Sequence, residues 1–485
     1  MPADLPNHSI TRPRLTGLAL ASFTLVLGLV LIFSGRIPPR VAYDQKLYHE
    51  PAIRQFVDQW PSFDLWHYKS ATTPGYHILQ AGVAKFISPS VAAMQLVSLA
   101  IATLLMYLLG SAAGTRAPPL LALALTLPFA CSMYVIQSSA WLLPDNAGWL
   151  GVLLIVILAL RPNVTHTTLA LGGLVLLALV FVRQIHAWTA GLLWLCAWLL
   201  PQHETTSGSA TASNPLIPFR AIFANVPRSI SRTLVAFSFT LPAIALLVLF
   251  QRYWHGLVPP VFQGLYSGLN PSAFVLILAT FGAFAPFFAP FWLPRVAPAV
   301  RSSPVQFIAI TLIVLIAACI VPTNHDYAAG RRTGLWNIAD RLPTIAGHSS
   351  PFMLALVLVG TVALLALASA DDPRRRLVLL ASILGYAAAS TANHDLFQRY
   401  VDPFALMILA LLTAGPAAPT GLARRLAPTA PFALALLLLA VSLNGLRNSD
   451  RATDPPPAAT GPDEPPGYSE LPPPPKPPNH HFWPW

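Results

Sequence analysis

The stretch that decides the fold is Leu15-Thr-Gly-Leu-Ala-Leu-Ala-Ser-Phe-Thr-Leu-Val-Leu-Gly-Leu-Val-Leu-Ile-Phe-Ser34, which follows Arg12 and Arg14 and contains no charged residue. A bilayer core of roughly 30 Å needs about 20 apolar residues of helix, and this run is that long. A cleaved signal peptide is the alternative, but its apolar region is shorter and ends at a cleavage site between small residues. The run therefore predicts a retained membrane anchor.

The composition extends this prediction to the whole chain. Of the 485 residues, 55% are hydrophobic and only 10% are charged, with a mean hydropathy of +0.60. A soluble globular protein has roughly 25% charged residues to cover its surface. These proportions exclude a soluble enzyme, a nucleic-acid-binding protein and a disordered scaffold. The net charge of +11 therefore implies no nucleic-acid partner, and an all-α polytopic membrane protein is predicted.

Further apolar runs predict about 13 transmembrane helices in total. They cover 89–109, 117–137, 146–160, 167–182, 186–200, 232–250, 271–293, 304–321, 351–369, 377–392, 401–415 and 429–446. If the N-terminus is cytoplasmic, every inside loop carries arginine, as the positive-inside rule requires. The Arg-, Ala- and Pro-rich composition fits a bacterium with GC-rich codons, so a multi-pass protein of the bacterial inner membrane is predicted.

The predicted outer loops collect the acids, histidines and aromatic residues. Two of these loops are long, 35–88 and 322–350, and long loops on a rigid scaffold often carry function. We therefore expect one transmembrane domain over 1–446 with its active site on the extracytoplasmic face. The tail 447–485 is Pro-rich and is predicted to be disordered and outside.

The first outer loop places Asp44 soon after the anchor, with His49 nearby. From Pro51, apolar residues recur at helical spacing, which predicts an amphipathic helix lying in the membrane interface. A carboxylate at this position can act as a general base on a hydroxyl. The alternative is an ordinary solvated acid in a loop.

Three further groups are suited to binding an anion. Lys69 and the polar turn that contains Thr72 and Thr73 precede an apolar helix, where hydroxyls and backbone N–H groups bind phosphate or simply cap the helix. Arg183 and Arg399 each stand where a helix meets the outer interface. Each could bind a lipid phosphate with its planar guanidinium. The alternative for Arg183 is that it extends to water from the membrane edge, and the alternative for Arg399 is that it pairs with its acidic neighbours. No metal-ligand spacing is present, so no metal or cofactor is expected.

A series of short motifs follows the order of the chain: Tyr43-Asp44, Tyr48-His49, Pro51, Thr72-Thr73-Pro74-Gly75-Tyr76, Arg183-Gln184 and Arg399-Tyr400 with Pro403. Taken together, these motifs resemble a known family, the dolichyl-phosphoglucose-dependent α-1,2-glucosyltransferases of the asparagine-linked glycan pathway and their bacterial relatives. That family belongs to the C-type (GT-C) glycosyltransferases. The resemblance spans about residues 15–415, and the chain departs from it where Gln45 replaces a Glu.

The resemblance implies a GT-C-like bundle and a transferase that moves a hexose, with glucose favoured. The donor would be a polyprenyl-phosphate sugar from the membrane lipid, and the acceptor a hydroxyl of a lipid-linked glycan or another extracytoplasmic molecule. Transfer would proceed with inversion and without a metal. Asp44 would be the base, Arg183, Arg399 and Lys69 would bind the donor phosphate, and the substrate-positioning residues would be His49, Thr72, Thr73, Gln184 and Tyr400.

A transporter or flippase of lipid-linked or anionic substrates is the competing interpretation. Such a protein would place charged pairs halfway across the membrane and often shows two related halves. The predicted spans are nearly free of charge and no repeat is visible, so the transferase is favoured.

Overall fold

The computed structural model describes residues 11–199, 216–217, 222–223, 226–266, 268–415, 421–446 and 450–451. Short strands β1 (Arg36–Ile37) and β2 (Asp450–Arg451) pair antiparallel, and a π-helical turn spans Gln45–His49. Short 3₁₀-helices cover Gln184–Thr189, Pro260–Phe262 and Ala285–Phe288. The α-helices are α1 (Thr11–Phe33), α2 (Pro39–Asp44), α3 (Glu50–Gln59), α4 (Gly75–Phe86), α5 (Val91–Gly114), α6 (Pro119–Cys131), α7 (Met133–Ala140), α8 (Asp145–Ala159), α9 (His166–Val182), α10 (Ala190–Trp198), α11 (Val226–Trp254), α12 (Gln263–Tyr266), α13 (Ala273–Phe284), α14 (Ala289–Ser302), α15 (Pro304–Ile320), α16 (Leu335–Ala339), α17 (Pro351–Ser369), α18 (Pro373–Thr391), α19 (Gln398–Thr413) and α20 (Gly421–Leu446).

Several of these helices are long and apolar enough to cross a bilayer. Within the described residues there are six such spans, or seven if α6 and α7, which meet at a 70° bend, form one. The spans are Pro13–Phe33, Val91–Gly114, Val226–Trp254, Ala273–Ser302, Pro351–Ser369 and Arg425–Leu446. The chain is therefore an all-α, multi-pass membrane protein.

The number of about 13 spans is not confirmed. The predicted span 186–200, for example, consists of a short 3₁₀ segment followed by the nine-residue helix α10. At 1.5 Å per residue, nine residues extend about 14 Å, well short of a bilayer core. Helices α8, α9 and α15 are apolar but also shorter than the six spans.

Close packing joins the spans in pairs. Helices α13 and α17 approach closely where Gly282 faces the Leu356 carbonyl and Gly360 faces the Leu278 carbonyl. A Cβ on either glycine would lie within 2.2 Å of that oxygen. Small residues allow this approach, which is the usual way in which membrane helices pack.

Helix α19 lies in the centre and defines two ends of the bundle. Nearly all its side chains are buried, as expected for a helix that is apolar around its circumference. We call the end where α8 and α19 begin and α9 ends the Asp44 end. The opposite end, where α8 and α19 finish and α18 begins, is the Asp371 end. Helices of 15 and 16 residues separate these ends by about 22–24 Å.

The predicted outer loops meet at the Asp44 end. The pairing of β1 with β2 brings the start of the tail beside the first outer loop. The described arginines of the predicted inside loops, such as Arg116 and Arg374, lie at the Asp371 end. Which end faces the cytoplasm stays a prediction. Most of the inside loop 201–231 and the tail beyond residue 451 lie outside the described residues.

The amphipathic segment of the first outer loop forms α3. Its apolar residues Ile53 and Phe56 are fully buried in a cluster with Tyr68, Ala81 and Trp254. This apolar face is therefore covered by the protein itself, and its placement in the membrane interface stays a prediction.

Candidate functional site

Asp44 pairs with Arg399 at the end of the bundle. Asp44 is the last residue of α2 and Arg399 is the second residue of α19, 355 positions further along the chain. The Arg399 Nη2 also donates a hydrogen bond to the Tyr400 hydroxyl at 2.7 Å. The Arg399 and Asp44 side chains are 25% and 19% exposed. The pair is thus largely shielded from water but still open to a ligand.

Arg183 lies beside the same tyrosine. Its guanidinium carbon is 4.6 Å from the centroid of the Tyr400 ring, and that of Arg399 is 4.9 Å away. Arg183 forms an ion pair with Asp145, and both side chains are almost buried. The ring quadrupole of tyrosine attracts cations, so Tyr400 helps to hold two guanidiniums near each other despite their repulsion.

The ring of Phe397 lies between Arg399 and a third arginine, Arg332. Its ring centroid is 5.4 Å from the Arg399 guanidinium carbon and 5.6 Å from that of Arg332, which comes from the second long outer loop. Arg332 pairs in turn with Asp395. Three arginines therefore alternate with aromatic rings, and each has its own carboxylate. We call this series the arginine ladder: Arg183, Tyr400, Arg399, Phe397 and Arg332.

The helix ends stabilise two of the charges and disfavour a third. Asp145 is the first residue of α8, where free N–H groups favour an anion, and Arg183 directly follows α9, where free carbonyls favour a cation. Arg399 stands at the start of α19, where the helix dipole disfavours a cation. Asp44 offsets this effect, so the pairing with α2 is part of what permits an arginine there.

A row of buried hydrogen bonds within the first outer loop ends at His49. The Tyr68 hydroxyl bonds to Nδ1 of His77, and Nε2 of His77 lies 2.9 Å from Nδ1 of His49. Burial lowers the pKa of His49 to about 4, although the carboxylates of Asp44 and Asp145 act in the opposite direction. Burial also lowers the pKa of His77. Both imidazoles are therefore neutral at pH 7.

Thr73 and Gln184 hold the first outer loop against α9. The Thr73 backbone N–H donates to the Gln184 side-chain oxygen at 3.0 Å, and the Thr73 hydroxyl donates to the Val180 carbonyl at 2.7 Å. The Gln184 amide nitrogen donates to the carbonyls of Ala71 and Leu257, each at 2.9 Å. These hydrogen bonds fix the position of the first outer loop, so Thr73 and Gln184 have a structural role in addition to any contact with substrate.

The remaining predicted residues lie on the same loop. The Thr72 hydroxyl is 3.2 Å from that of Ser70, and Lys69 is exposed. Their contacts with a substrate stay predictions.

The structure adds four residues that the sequence analysis did not single out: Asp145, His77, Tyr68 and Arg332. Asp145 follows a proline and opens an apolar helix, and a charge in that position is itself a signal. The other three have no local signal, because only their spatial neighbours distinguish them from ordinary loop residues.

Neither a family model, a curated protein nor a solved structure matches this chain. The Asp44 end is where the chain's own chemistry indicates a function. That end combines fixed guanidiniums, which suit a phosphate, with a carboxylate that can accept a proton.

Proposed function

We propose that the chain is a membrane glycosyltransferase of the GT-C type. It moves a hexose, with glucose favoured, from a polyprenyl-phosphate sugar to a hydroxyl of a lipid-linked glycan or another extracytoplasmic acceptor, with inversion. The observation that carries the proposal is the convergence of Asp44 with Arg399 and Arg183 around Tyr400 at one end of the bundle.

The arginine ladder supplies the donor site in this proposal. The sugar phosphate approaches from the bilayer and its oxygens bind Arg399 and Arg183, whose planar guanidiniums match phosphate geometry. The phosphate competes with Asp44 for Arg399. Binding of the donor therefore frees the carboxylate that must act next, so the base becomes available only when the donor is in place.

The chemical step then follows from the proton and electron balance. Asp44 takes the proton of the acceptor hydroxyl, and the acceptor oxygen forms a bond to the anomeric carbon from the face opposite the phosphate. The bond between that carbon and the phosphate oxygen breaks, and polyprenyl phosphate leaves with the electron pair. The guanidiniums stabilise the charge that develops on the leaving oxygen, which is usually a large contribution to catalysis.

The substrate-positioning residues are His49, Tyr400, Thr72, Thr73 and Gln184, and Lys69 is a further ligand for the donor phosphate. Tyr400 acts by holding Arg399 and Arg183 in place, as its ring and hydroxyl contacts suggest. The Asp44 end faces away from the cytoplasm of a bacterial cell in this proposal. Labelling Asp58→Cys on the exposed side of α3 with an impermeant thiol reagent in intact cells tests that orientation.

The competing function, a transporter or flippase, is less well supported. The ion pairs of the ladder occur at helix ends, whereas a transporter needs charged groups halfway along its path. Movement of a lipid-linked sugar across a vesicle membrane, without any transfer of the sugar, would favour the transporter.

The test uses purified full-length protein in lipid nanodiscs. It is incubated with polyprenyl-phosphate glucose, mannose and galactose, together with an extract of lipid-linked and free glycans, and release of polyprenyl phosphate is measured. We expect release with the glucose donor that depends on the acceptor and is lost in Asp44→Asn. Absence of release with all donors, or full release in Asp44→Asn, contradicts the proposal.

A further inference from the structure

We propose that Tyr68 and His77 fix His49 as the tautomer that carries its proton on Nε2. His49 is then a hydrogen-bond donor beside Asp44 and not a second base. Tyr68 and His77 are positioning residues, since they act through His49. The inference rests on the proposed function only for the ligand that His49 contacts, because the tautomer itself is a property of the free protein.

The row is buried along its whole length. Tyr68 and His77 are fully buried and His49 is 9% exposed. Tyr68 stacks on Phe56 with ring centroids 5.2 Å apart, which fixes the direction of its hydroxyl. Because water has little access, the hydrogen bonds must be satisfied within the row, and each proton position restricts the next.

Only two proton arrangements satisfy both hydrogen bonds when both imidazoles are neutral. In the first, Tyr68 donates to Nδ1 of His77, and Nε2–H of His77 donates to Nδ1 of His49. In the second, every donor is reversed, so Nδ1–H of His49 donates to His77, and Nδ1–H of His77 donates to the Tyr68 oxygen. A neutral imidazole has one N–H, so mixed arrangements leave two lone pairs or two protons facing each other.

The surroundings of Tyr68 favour the first arrangement. In the second, the Tyr68 proton needs another acceptor, and the Thr73 carbonyl lies 3.5 Å away, much longer than a usual O–H···O bond. In the first, the proton goes to Nδ1 of His77, and a basic imidazole nitrogen is a stronger acceptor than a carbonyl or hydroxyl oxygen. A phenol is also a stronger hydrogen-bond donor than a neutral imidazole N–H, so the bond between Tyr68 and His77 favours Tyr68 as its donor.

The consequence for His49 follows directly. Its Nδ1 accepts from His77, so Nε2 carries the proton and is the nitrogen available for a contact outside the row. Four charged groups act on His49. The carboxylates of Asp44 and Asp145 raise its pKa, and the guanidiniums of Arg399 and Arg183 lower it. Within the proposed transferase, Nε2–H donates to an oxygen of the bound sugar or acceptor and leaves the proton transfer to Asp44.

Nitrogen-15 NMR of histidine-labelled full-length protein in nanodiscs reads the tautomer directly. The chain has 13 histidines, so the His49 signals are assigned by their loss in His49→Gln. We expect wild-type His49 to show a protonated Nε2 and an unprotonated Nδ1. Tyr68→Phe keeps the ring but removes the proton that fixes His77, so His49 should become a mixture of both tautomers.

Tyr76→Phe is the matched control. Tyr76 is also buried against the His77 ring, with centroids 5.5 Å apart, but its hydroxyl bonds to Ser98 at 2.7 Å. It should leave the His49 tautomer unchanged. A protonated Nδ1 in the wild type, or equal spectra for wild type and Tyr68→Phe, overturns the inference. Melting curves of both variants verify that the fold is intact.

An activity measurement separates this inference from the proposed function. If transfer is observed, Tyr68→Phe should lower kcat about tenfold more than Tyr76→Phe and leave the KM for the donor unchanged. If no donor is turned over, the proposed function fails while the NMR result still decides the tautomer.

Discussion

Both ends of the bundle are rich in arginine, but the partners of the arginines differ. At the Asp371 end, the Arg376 guanidinium donates hydrogen bonds to the carbonyls of Ala368, Ser369 and Asp371, at 2.9–3.1 Å. Arg374 likewise donates to the Leu199 carbonyl at 2.7 Å. Arg116 and Arg375 at this end share the buried carboxylate of Asp371. At the Asp44 end, each arginine of the ladder pairs with a carboxylate of its own and also lies over an aromatic ring.

This difference separates a structural role from a chemical one. Carbonyls at helix C-termini lack partners, and a guanidinium that binds them completes the helix and complements its dipole. A ligand cannot displace these carbonyls without undoing the helix end. A partly exposed carboxylate on another segment, such as Asp44, can in contrast move aside for a phosphate, whereas the side chain of Asp371 is 1% exposed. Buried Nε atoms without a partner occur at both ends, in Arg374 and in Arg399, so the informative features are the aromatic ring and the partly exposed carboxylate beside Arg399.

The largest expected effect is that of Asp44→Asn. If the Asp44 end is catalytic, loss of the base should lower the transfer rate about 10²–10⁴-fold, as for other general bases. Asp58→Asn, an exposed acid on the same loop, is the matched control and should have the wild-type rate. Equal rates for the two variants in a donor-turnover assay would contradict the role of Asp44.

Next is Arg183→Lys, which keeps the charge but loses the planar fork and its stacking on Tyr400. We expect kcat to fall about 10²–10³-fold, the loss found when one donor to a developing anion is removed. Arg54→Lys, in a partly exposed pair with Glu50 away from the ladder, should have the wild-type kcat. A wild-type kcat in Arg183→Lys would show that charge alone suffices.

Asp371→Asn should show the opposite pattern to Asp44→Asn. Asp371 pairs with Arg116 at 3.0 Å and with Arg375 at 3.1 Å, and its side chain is 1% exposed. Leaving these cations unpaired should lower the free energy of unfolding by roughly 3–5 kcal/mol. Thermal unfolding in detergent measures this loss against exposed Asp340→Asn. A lower kcat per folded molecule, with unchanged stability, would contradict the structural role of the Asp371 end.

The pH dependence of stability tests the burial of His49 at the Asp44 end. Its pKa is about 4 in the fold and 6.5 in the unfolded chain. Between these values the unfolded state binds more protons, so stability is fully present above pH 6.5 and falls as the pH is lowered towards 4. Each unit of difference contributes about 1.4 kcal/mol. His49→Gln should reduce the fall of the melting temperature over this range without abolishing it, since His77 contributes in the same direction. His166→Gln, exposed at the Asp371 end, should leave the slope unchanged.

The smallest expected effect belongs to Arg332→Gln at the outer end of the ladder. Arg332 touches Arg399 only through Phe397, so we expect the KM for the donor to rise by about tenfold or less, in line with one hydrogen bond to a charged group. Donor titrations measure this change. A loss as large as that of Arg183→Lys would place the donor phosphate nearer to Arg332 than proposed.

Local sequence accounts for the class of fold and for part of the site. Apolar runs mark membrane helices because a bilayer has a fixed thickness, and that rule needs no knowledge of neighbours. It fails for short segments such as α10, whose apolar character comes from burial against other helices. Asp44, Arg183 and Arg399 stood out because a charge at the edge of an apolar run is costly without a purpose.

Local residue patterns were thus enough to predict a multi-pass helical protein, one candidate acid and two candidate arginines. The contacts of Asp44 with Arg399, of Arg183 with Asp145 and of Thr73 with Gln184 became known only from the packed fold. The two kinds of information differ because they depend on residues at different distances along the chain. Hydropathy acts over one helix, whereas the partner of a charge 355 positions away depends on how all the intervening helices pack.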